Sequence, residues 1–285
     1  MAHLHTYETR SKKLYIAIGI NVFLTVSQIV GGIVSGSLSL LADALHNFSD
    51  AGAILIAVIA QKIGQKPSNP SMTYGYKRAE ILGTLINSVL LILVGLYLMY
   101  ESMARYADPQ PIDGMIVIWV AAIALVIDIA TALLTYSAGA KGNMNIRAAF
   151  IHNVSDALAS VVVIIAGVLI IYYQWYVVDL VATMGISLYV IFHGSVLTSK
   201  AILILMQATP DGINIQEIKE TLEKIEGVKK AFHIHVWQLD DHKLCFEGHV
   251  ILDKACNRRN VKKALKEILR NQFQIEHSTI DAELI

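Results

Sequence analysis

Six apolar runs, near residues 14–34, 39–63, 81–100, 115–136, 146–173 and 177–198, each reach the roughly 20 residues a helix needs to cross a hydrocarbon core. A backbone in lipid must satisfy its own hydrogen bonds, so runs of this length fold as spanning helices and not as loops or open strands. The expectation is an α-helical membrane protein with six transmembrane helices. Only 16% of the 285 residues are charged, and 21 of the 46 charged side chains fall in the first 200 positions. The other 25 crowd into the last 85, which implies a second part that lives in water.

Orientation follows from the basic residues at the ends of the runs. With both termini inside, the inner segments hold Arg10, Lys12, Lys13, Lys62, Lys66, Lys77, Arg78, Lys141, Arg147 and Lys200, whereas the outer loops hold only Arg105. The termini are therefore expected in the cytoplasm of a multi-pass protein of the cell (inner) membrane. The first run is too long for a signal peptide, carries Asn21 and Gln28, and has no small-x-small cleavage site, so it is expected to remain. Net charge is zero and no basic stripe stands out, which sets nucleic-acid partners aside. Cys245 and Cys256 lack a CxxC spacing and read as reduced cytoplasmic thiols without a role.

Pro210-Asp211-Gly212 closes the membrane part. After it the pattern predicts a helix at about 214–225, strands at about 228–239 and 243–252, a helix at about 257–271 and a strand at about 275–284. Asn214 reads as a helix cap, Glu220 and Lys224 as an i,i+4 pair, and Asp240-Asp241 as a hairpin turn. The organisation is thus a cytoplasmic N-terminal segment (1–13), a transport domain (14–207) and a cytoplasmic α+β domain (208–285).

The feature richest in chemistry lies inside the membrane part. His46-Asn47-Phe48-Ser49-Asp50-Ala51 in the second run recurs as His152-Asn153-Val154-Ser155-Asp156-Ala157 in the fifth, identical at five of six positions. These two runs cross in opposite directions, as inverted repeats do around a shared site. Within each copy the His and Asp are four residues apart, hence on one helix face. Two imidazoles and two carboxylates match tetrahedral zinc in type and number, whereas Mg²⁺ or Ca²⁺ would ask for oxygen alone. Two plain packing pairs are the alternative, but four ionisable groups in hydrocarbon are costly enough to mark function. Asn47, Asn153, Ser49 and Ser155 fit ordinary interhelical bonding better than support of a metal shell. Asp43, Asp128 and Asp179 lie in or at the ends of runs, as proton relays or as scaffold.

These motifs, with Ser-Leu-Ser-Leu-Leu-Ala-Asp-Ala at 37–44, Tyr74-Gly75-Tyr76-Lys77-Arg78-Ala79-Glu80, Asn145-Ile146-Arg147 and His235-Val236-Trp237, resemble the cation diffusion facilitator family in its zinc-transporter branch, over essentially the whole chain. The resemblance implies a homodimeric zinc/proton antiporter with a metallochaperone-like (ferredoxin-like) cytoplasmic domain, and carries the transport ligands onto His46, Asp50, His152 and Asp156. In relatives with Asp at the first of these positions metal choice is implied to be broader, so His46 argues for zinc, with cobalt or cadmium as companions. Many relatives read His-x-x-His-x-Trp in the first cytoplasmic strand, where this chain has Phe232, with His233 one residue later. For a cytoplasmic metal site the candidates are His233, His249 and Glu283, with His235 and His277 behind them. Alternation puts His233 and His235 on one sheet face, and Glu283 sits where similar proteins place a carboxylate. His3 and His5 read as solvated, and His193 as packing or a helix end. The stretch Lys66 to Tyr76 lacks His, Asp and Cys, so a loop metal site is not expected. Arg78 and Asp211 could form a charge contact near the hinge.

An intramembrane metallohydrolase would need an open zinc position and a general base such as HExxH supplies, which this chain lacks. A passive sensor would not need two membrane-embedded pairs. The reading is export of a divalent metal, zinc first, in exchange for protons, and not catalysis.

Overall fold

The computed structural model describes residue 19 and residues 22–137, 144–240 and 243–284. Its helices are α1 (Val22–Ser35), α2 (Leu38–Gly64), α3 (Ala79–Ala107), α4 (Gly114–Ser137), α5 (Met144–Tyr173) and α6 (Val177–Leu205), followed by α7 (Ile215–Glu223), β1 (Val228–Gln238), β2 (Leu244–Leu252), α8 (Arg258–Phe273) and β3 (His277–Leu284). Among the described residues four helices are long and apolar enough to cross a bilayer: α3, α4 over Gly114–Leu134, α5 over Phe150–Tyr173, and α6. α1 is a shorter apolar helix. α2 has the length, but Asp43, His46, Asn47 and Asp50 interrupt its apolar character. His3, His5 and the start of the first expected span lie outside the described residues.

The chain divides into two compact units, one ending at Leu55 and resuming over Ile86–Val196, the other made of Ile56–Leu85 and Leu197–Ile285. In the first, Leu38, Leu40, Leu91, Leu98, Val117, Val163 and Val190 form a buried core between helices. α4 and α5 approach closely where Gly114 and Gly167 lack a side chain. A Cβ on Gly114 would stand 2.7 Å from the carbonyl oxygen of Gly167, and one on Gly167 would stand 2.8 Å from Ile118. Small residues at such a crossing let backbones approach, which supplies the van der Waals contact that lipid does not drive.

Polar groups pin α2 and α5 to their neighbours. Asp179, fully buried on α6, caps the start of α2: it accepts from Leu38 N (2.8 Å) and from the hydroxyls of Ser37 (2.6 Å) and Ser39 (2.5 Å). A carboxylate at a helix N-terminus satisfies otherwise orphaned donors and complements the dipole. Gln28 Nε2 donates to Asp43 Oδ2 (2.6 Å) while its Oε1 accepts from Asn47 Nδ2 (3.0 Å), tying α1 to α2. Asn87 Nδ2 donates to the hydroxyl (3.0 Å) and carbonyl (3.2 Å) of Ser49, tying α3 to α2. Ser160 Oγ donates to Asp128 Oδ2 (3.1 Å), tying α5 to α4.

In the second unit a three-stranded sheet of order β1-β2-β3 has β1 and β2 antiparallel and β3 parallel to β2, with α8 as the crossover a parallel pair requires. Ala231, Val236, Phe246, Val250, Ile280 and Ala282 cover the inner face and pack on Ile218 and Leu222 of α7 and Val261, Leu265 and Leu269 of α8. Asn214 caps α7 through Gln216 N and Glu217 N, as expected. Glu220 does not pair with Lys224. Its carboxylate accepts from Gln216 Nε2 one turn earlier, at 2.9 Å. At the hairpin, Asp240 Oδ1 accepts from Lys243 N (2.8 Å), and Asp241 lies outside the described residues.

Candidate metal centre

α2 and α5 bring the two repeated His-Asp pairs face to face. His46 Nε2 lies 3.7 Å from Asp50 Oδ2 on its own helix and 3.3 Å from Asp156 Oδ1 across the gap. His152 Nε2 lies 3.5 Å from Asp156 Oδ2 on its own helix and 3.1 Å from Asp50 Oδ2 across it. All four residues named from the repeat therefore converge. Ligands bound at about 2.0–2.1 Å on the corners of a tetrahedron stand about 3.3–3.4 Å apart. The four His–Asp spacings lie near that edge, with Asp156 meeting the two imidazoles through different oxygens; taken one ligand atom per residue, His46, Asp50 and His152 lie within 4.8 Å of one another.

Burial is uneven. His46 and Asp156 are almost fully enclosed, whereas the side chains of Asp50 and His152 keep 29% and 35% of their exposure. His46 Nδ1 is buried without a hydrogen-bond partner among the described residues, and His46 Nε2, Asp50 Oδ2 and Asp156 Oδ1 are buried with only the facing imidazoles and carboxylates of this cluster beside them. Unsatisfied buried donors and acceptors carry a desolvation cost and call for an explanation such as an ion. The ring of Tyr189 on α6 stands edge-on to His46 at 5.8 Å, and His193 stacks on Tyr189 at 6.2 Å. Sequence reasoning gave Tyr189 no place, since a lone tyrosine in an apolar helix has no spacing signal. A cavity of about 580 Å³ starts at His46 and Asp156 and runs between α5 and α6 past Val162 and Ile186 to Val178, walled mainly by apolar side chains.

The neighbouring polar residues behave as packing groups where their bonds are seen. Asn47 and Ser49 bond to α1 and α3, and Ser155 Oγ donates to the carbonyl of Ile151 in its own helix. Asp179 is scaffold, as the cap of α2. Asp43 is held by Gln28 and Asp128 by Ser160.

The cytoplasmic candidates share the outer sheet face only in part. A bulge between Phe232 and His235 puts His233 in the left-handed region (φ +51°), and its ring meets those of His235 at 4.6 Å and His249 at 5.3 Å. β3 is registered so that His249 faces Asp281, with Nδ1 to Oδ2 at 3.6 Å. Glu283 stands two residues further, opposite Ile251, and makes no ion pair among the described residues. His277 is apart as well, opposite Cys245 and edge-on to Tyr74 at 6.0 Å. The carboxylate beside the histidines is thus Asp281, which sequence reasoning passed over because strand register sets it. Burial pushes the Cys245 thiol above its ordinary range, with Asp240 adding to the shift and Lys243 opposing it.

Residues 14–206 match the model of the cation efflux transmembrane domain, and residues 210–284 match that of the cytoplasmic domain of cation efflux proteins. The chain belongs to the cation efflux family. Among its relatives, a protein of Bacillus subtilis named cadmium, cobalt and zinc/H(+)-K(+) antiporter is 32% identical over 281 residues, covering 98% of this chain and 89% of the relative. The zinc transporter ZitB of Pectobacterium atrosepticum is 32% identical over 282 residues, covering 99% and 88%. A solved structure described as the metal-bound C-terminal domain of the CzcD transporter of Cupriavidus metallidurans is 33% identical across all of its own chain and 25% of this one, at a TM-score of 0.24. That overlap is too slight to carry a structural argument.

Proposed function

We propose that this membrane protein exports zinc from the cytoplasm in exchange for protons, with His46, Asp50, His152 and Asp156 holding one zinc ion per protomer in passage. The observation that carries the reading is the approach of two imidazoles and two carboxylates from antiparallel helices, with His46, Asp50 and His152 offering single ligand atoms within 4.8 Å of one another and Asp156 reaching both imidazoles. Two ionised carboxylates cancel the charge of Zn²⁺, so the loaded site is neutral in a low-dielectric interior. Two protons on the empty site restore the same neutrality. Zinc requires deprotonated ligands, so loading and proton release are one equilibrium.

The wider architecture belongs to the same reading: six spans with α1 and α2 among them, both termini in the cytoplasm of the cell membrane, a division into residues 1–13, 14–207 and 208–285, and a homodimer. In that orientation the cavity between α5 and α6 leads outward from the ligands. Imidazole in the set favours zinc, cobalt and cadmium over manganese. The cytoplasmic domain adds a weaker metal site at His233, His235, His249 and Asp281, in which Glu283 and His277 take no direct part. It is regulatory, because metal bound only by one arrangement stabilises that arrangement by mass action.

The test is zinc flux in sealed vesicles that hold the purified full-length chain, with and without a pH gradient. Zinc movement that accelerates when the destination side is acid supports exchange. Flux indifferent to the gradient would remove the proton from the mechanism, and absence of flux would remove transport.

A further inference from the structure

The second compact unit holds a cleft of about 340 Å³, between the α2–α3 loop, the first turn of α3, the second residue after α6 and the end of β1. Tyr74, Lys77, Arg78, Leu82, Gln207 and Trp237 line it, and no lining residue carries a carboxylate. Arg78 Nε is buried there without a hydrogen-bond partner. The Arg78–Asp211 contact that sequence suggested does not form, and neither Lys77 nor Arg78 has a carboxylate partner among the described residues. A third cation, Lys66, stands over the ring of Tyr76 at 5.9 Å, and Tyr76 also lines the cleft.

Three properties decide what this cleft suits. The charge of its lining is positive, and a buried guanidinium nitrogen asks for an acceptor. One wall is the start of α3, a helix apolar enough to span a membrane, so the cleft sits where hydrocarbon ends and headgroups begin. Its remaining wall is aromatic, through Tyr74 and Trp237, residue types that settle at that level. A soluble anion would use the charge but not the apolar wall; a zwitterionic lipid would use the wall but leave the charge unmatched. Basic pockets on the cytoplasmic side of spanning helices receive anionic headgroups for these reasons.

We infer that this cleft binds the phosphate headgroup of an anionic phospholipid, with Arg78 and Lys77 on the phosphate and an acyl chain along the start of α3. The inference rests on the membrane reading above and adds a ligand to it. A lipid held there joins the α2–α3 loop to the end of β1, so its binding stabilises the unit that contains both.

The experiment is native mass spectrometry of the full-length protein in detergent, titrated with phosphatidylglycerol, phosphatidylcholine or glycerol 3-phosphate, on wild type, Arg78→Lys and the double variant Lys77→Gln/Arg78→Gln. Wild type should hold phosphatidylglycerol at least tenfold more tightly than phosphatidylcholine. The double variant should lose on the order of twentyfold, about fivefold per charge, and Arg78→Lys should retain most of the binding. Equal affinity for the two lipids, or unchanged affinity in the double variant, would overturn the inference. Competition by glycerol 3-phosphate at equal concentration would overturn the lipid in favour of a soluble phosphate. Zinc flux measured on the same wild-type preparation separates the two readings, since flux without lipid preference sinks only this one.

Discussion

Asp156→Asn isolates charge from shape at the centre of the proposed zinc site. The substitution conserves volume, so α5 should keep its packing, but it leaves one carboxylate against a divalent ion in an enclosed space. In the native chain the two oxygens of Asp156 reach both imidazoles, Oδ1 toward His46 at 3.3 Å and Oδ2 toward His152 at 3.5 Å. Four-ligand protein zinc sites bind with about 10–16 kcal/mol, or about 3 kcal/mol per ligand. Loss of one ligand therefore predicts weakening of about 10²-fold, and the uncancelled charge adds to it. Zinc affinity of the purified variant, measured against a competing chelator dye, should fall by that factor, and flux at limiting zinc should fall with it. Affinity within threefold of wild type, in protein that elutes and melts normally, would refute the four-ligand assignment.

His46→Asp turns the set into one imidazole and three carboxylates, a harder site, so the ratio of manganese to zinc flux in vesicles should rise. An unchanged ratio would place selectivity outside the four ligands. Asp179→Asn should lower stability by about 1.5–3 kcal/mol, since it weakens charge-assisted bonds from the donors of Ser37, Leu38 and Ser39, while flux per folded molecule survives; selective loss of proton coupling would instead make Asp179 a relay. Because burial raises the Cys245 pKa, less thiolate is present at a given pH, so iodoacetamide labelling of Cys245 should lag behind that of half-buried Cys256 and grow as pH rises. Equal labelling of the two at neutral pH would show that β2 opens readily.

The approach of the two His-Asp pairs and the order of elements were legible because both rest on local rules: helical spacing puts His and Asp on one face, and apolar length or alternation marks long helices and strands. The cytoplasmic elements fall within a few residues of the expected bounds. What escaped depended on pairing across the chain. Asp281, and not Glu283, meets His249 because β3 pairs in one particular parallel register, and no composition signal fixes a two-residue offset. The bulge that turns His233 toward His235 and His249 is likewise a property of the β1–β2 pairing. Asp179 reads as an ionisable group near a span end until the start of α2, about 140 residues away in sequence, comes to rest on it. α2 is the long helix whose apolar character is least evident, since the polar residues that dilute its run include the His46 and Asp50 that face α5.

The distances within the site also say what assembles it. The contacts made across the gap, 3.1 and 3.3 Å, are shorter than those within each helix, 3.5 and 3.7 Å, so the set is a product of packing α2 against α5 and not of either helix alone. Each ligand-bearing helix has its own anchors: α2 through Asn47 to α1, Ser49 to α3 and Asp179 of α6, and α5 through Ser160 and the Gly114–Gly167 approach to α4. A displacement of the α4–α5 pair against α2 would lengthen both cross-helix contacts while it spared both intrahelical ones, and would divide a four-ligand site into two pairs. Neither pair alone offers enough ligands or charge to hold a divalent ion. In the zinc site proposed above, affinity is in this way tied to the relation between two helix groups, and a site so built can bind tightly in one arrangement and let go in another without loss of any ligand.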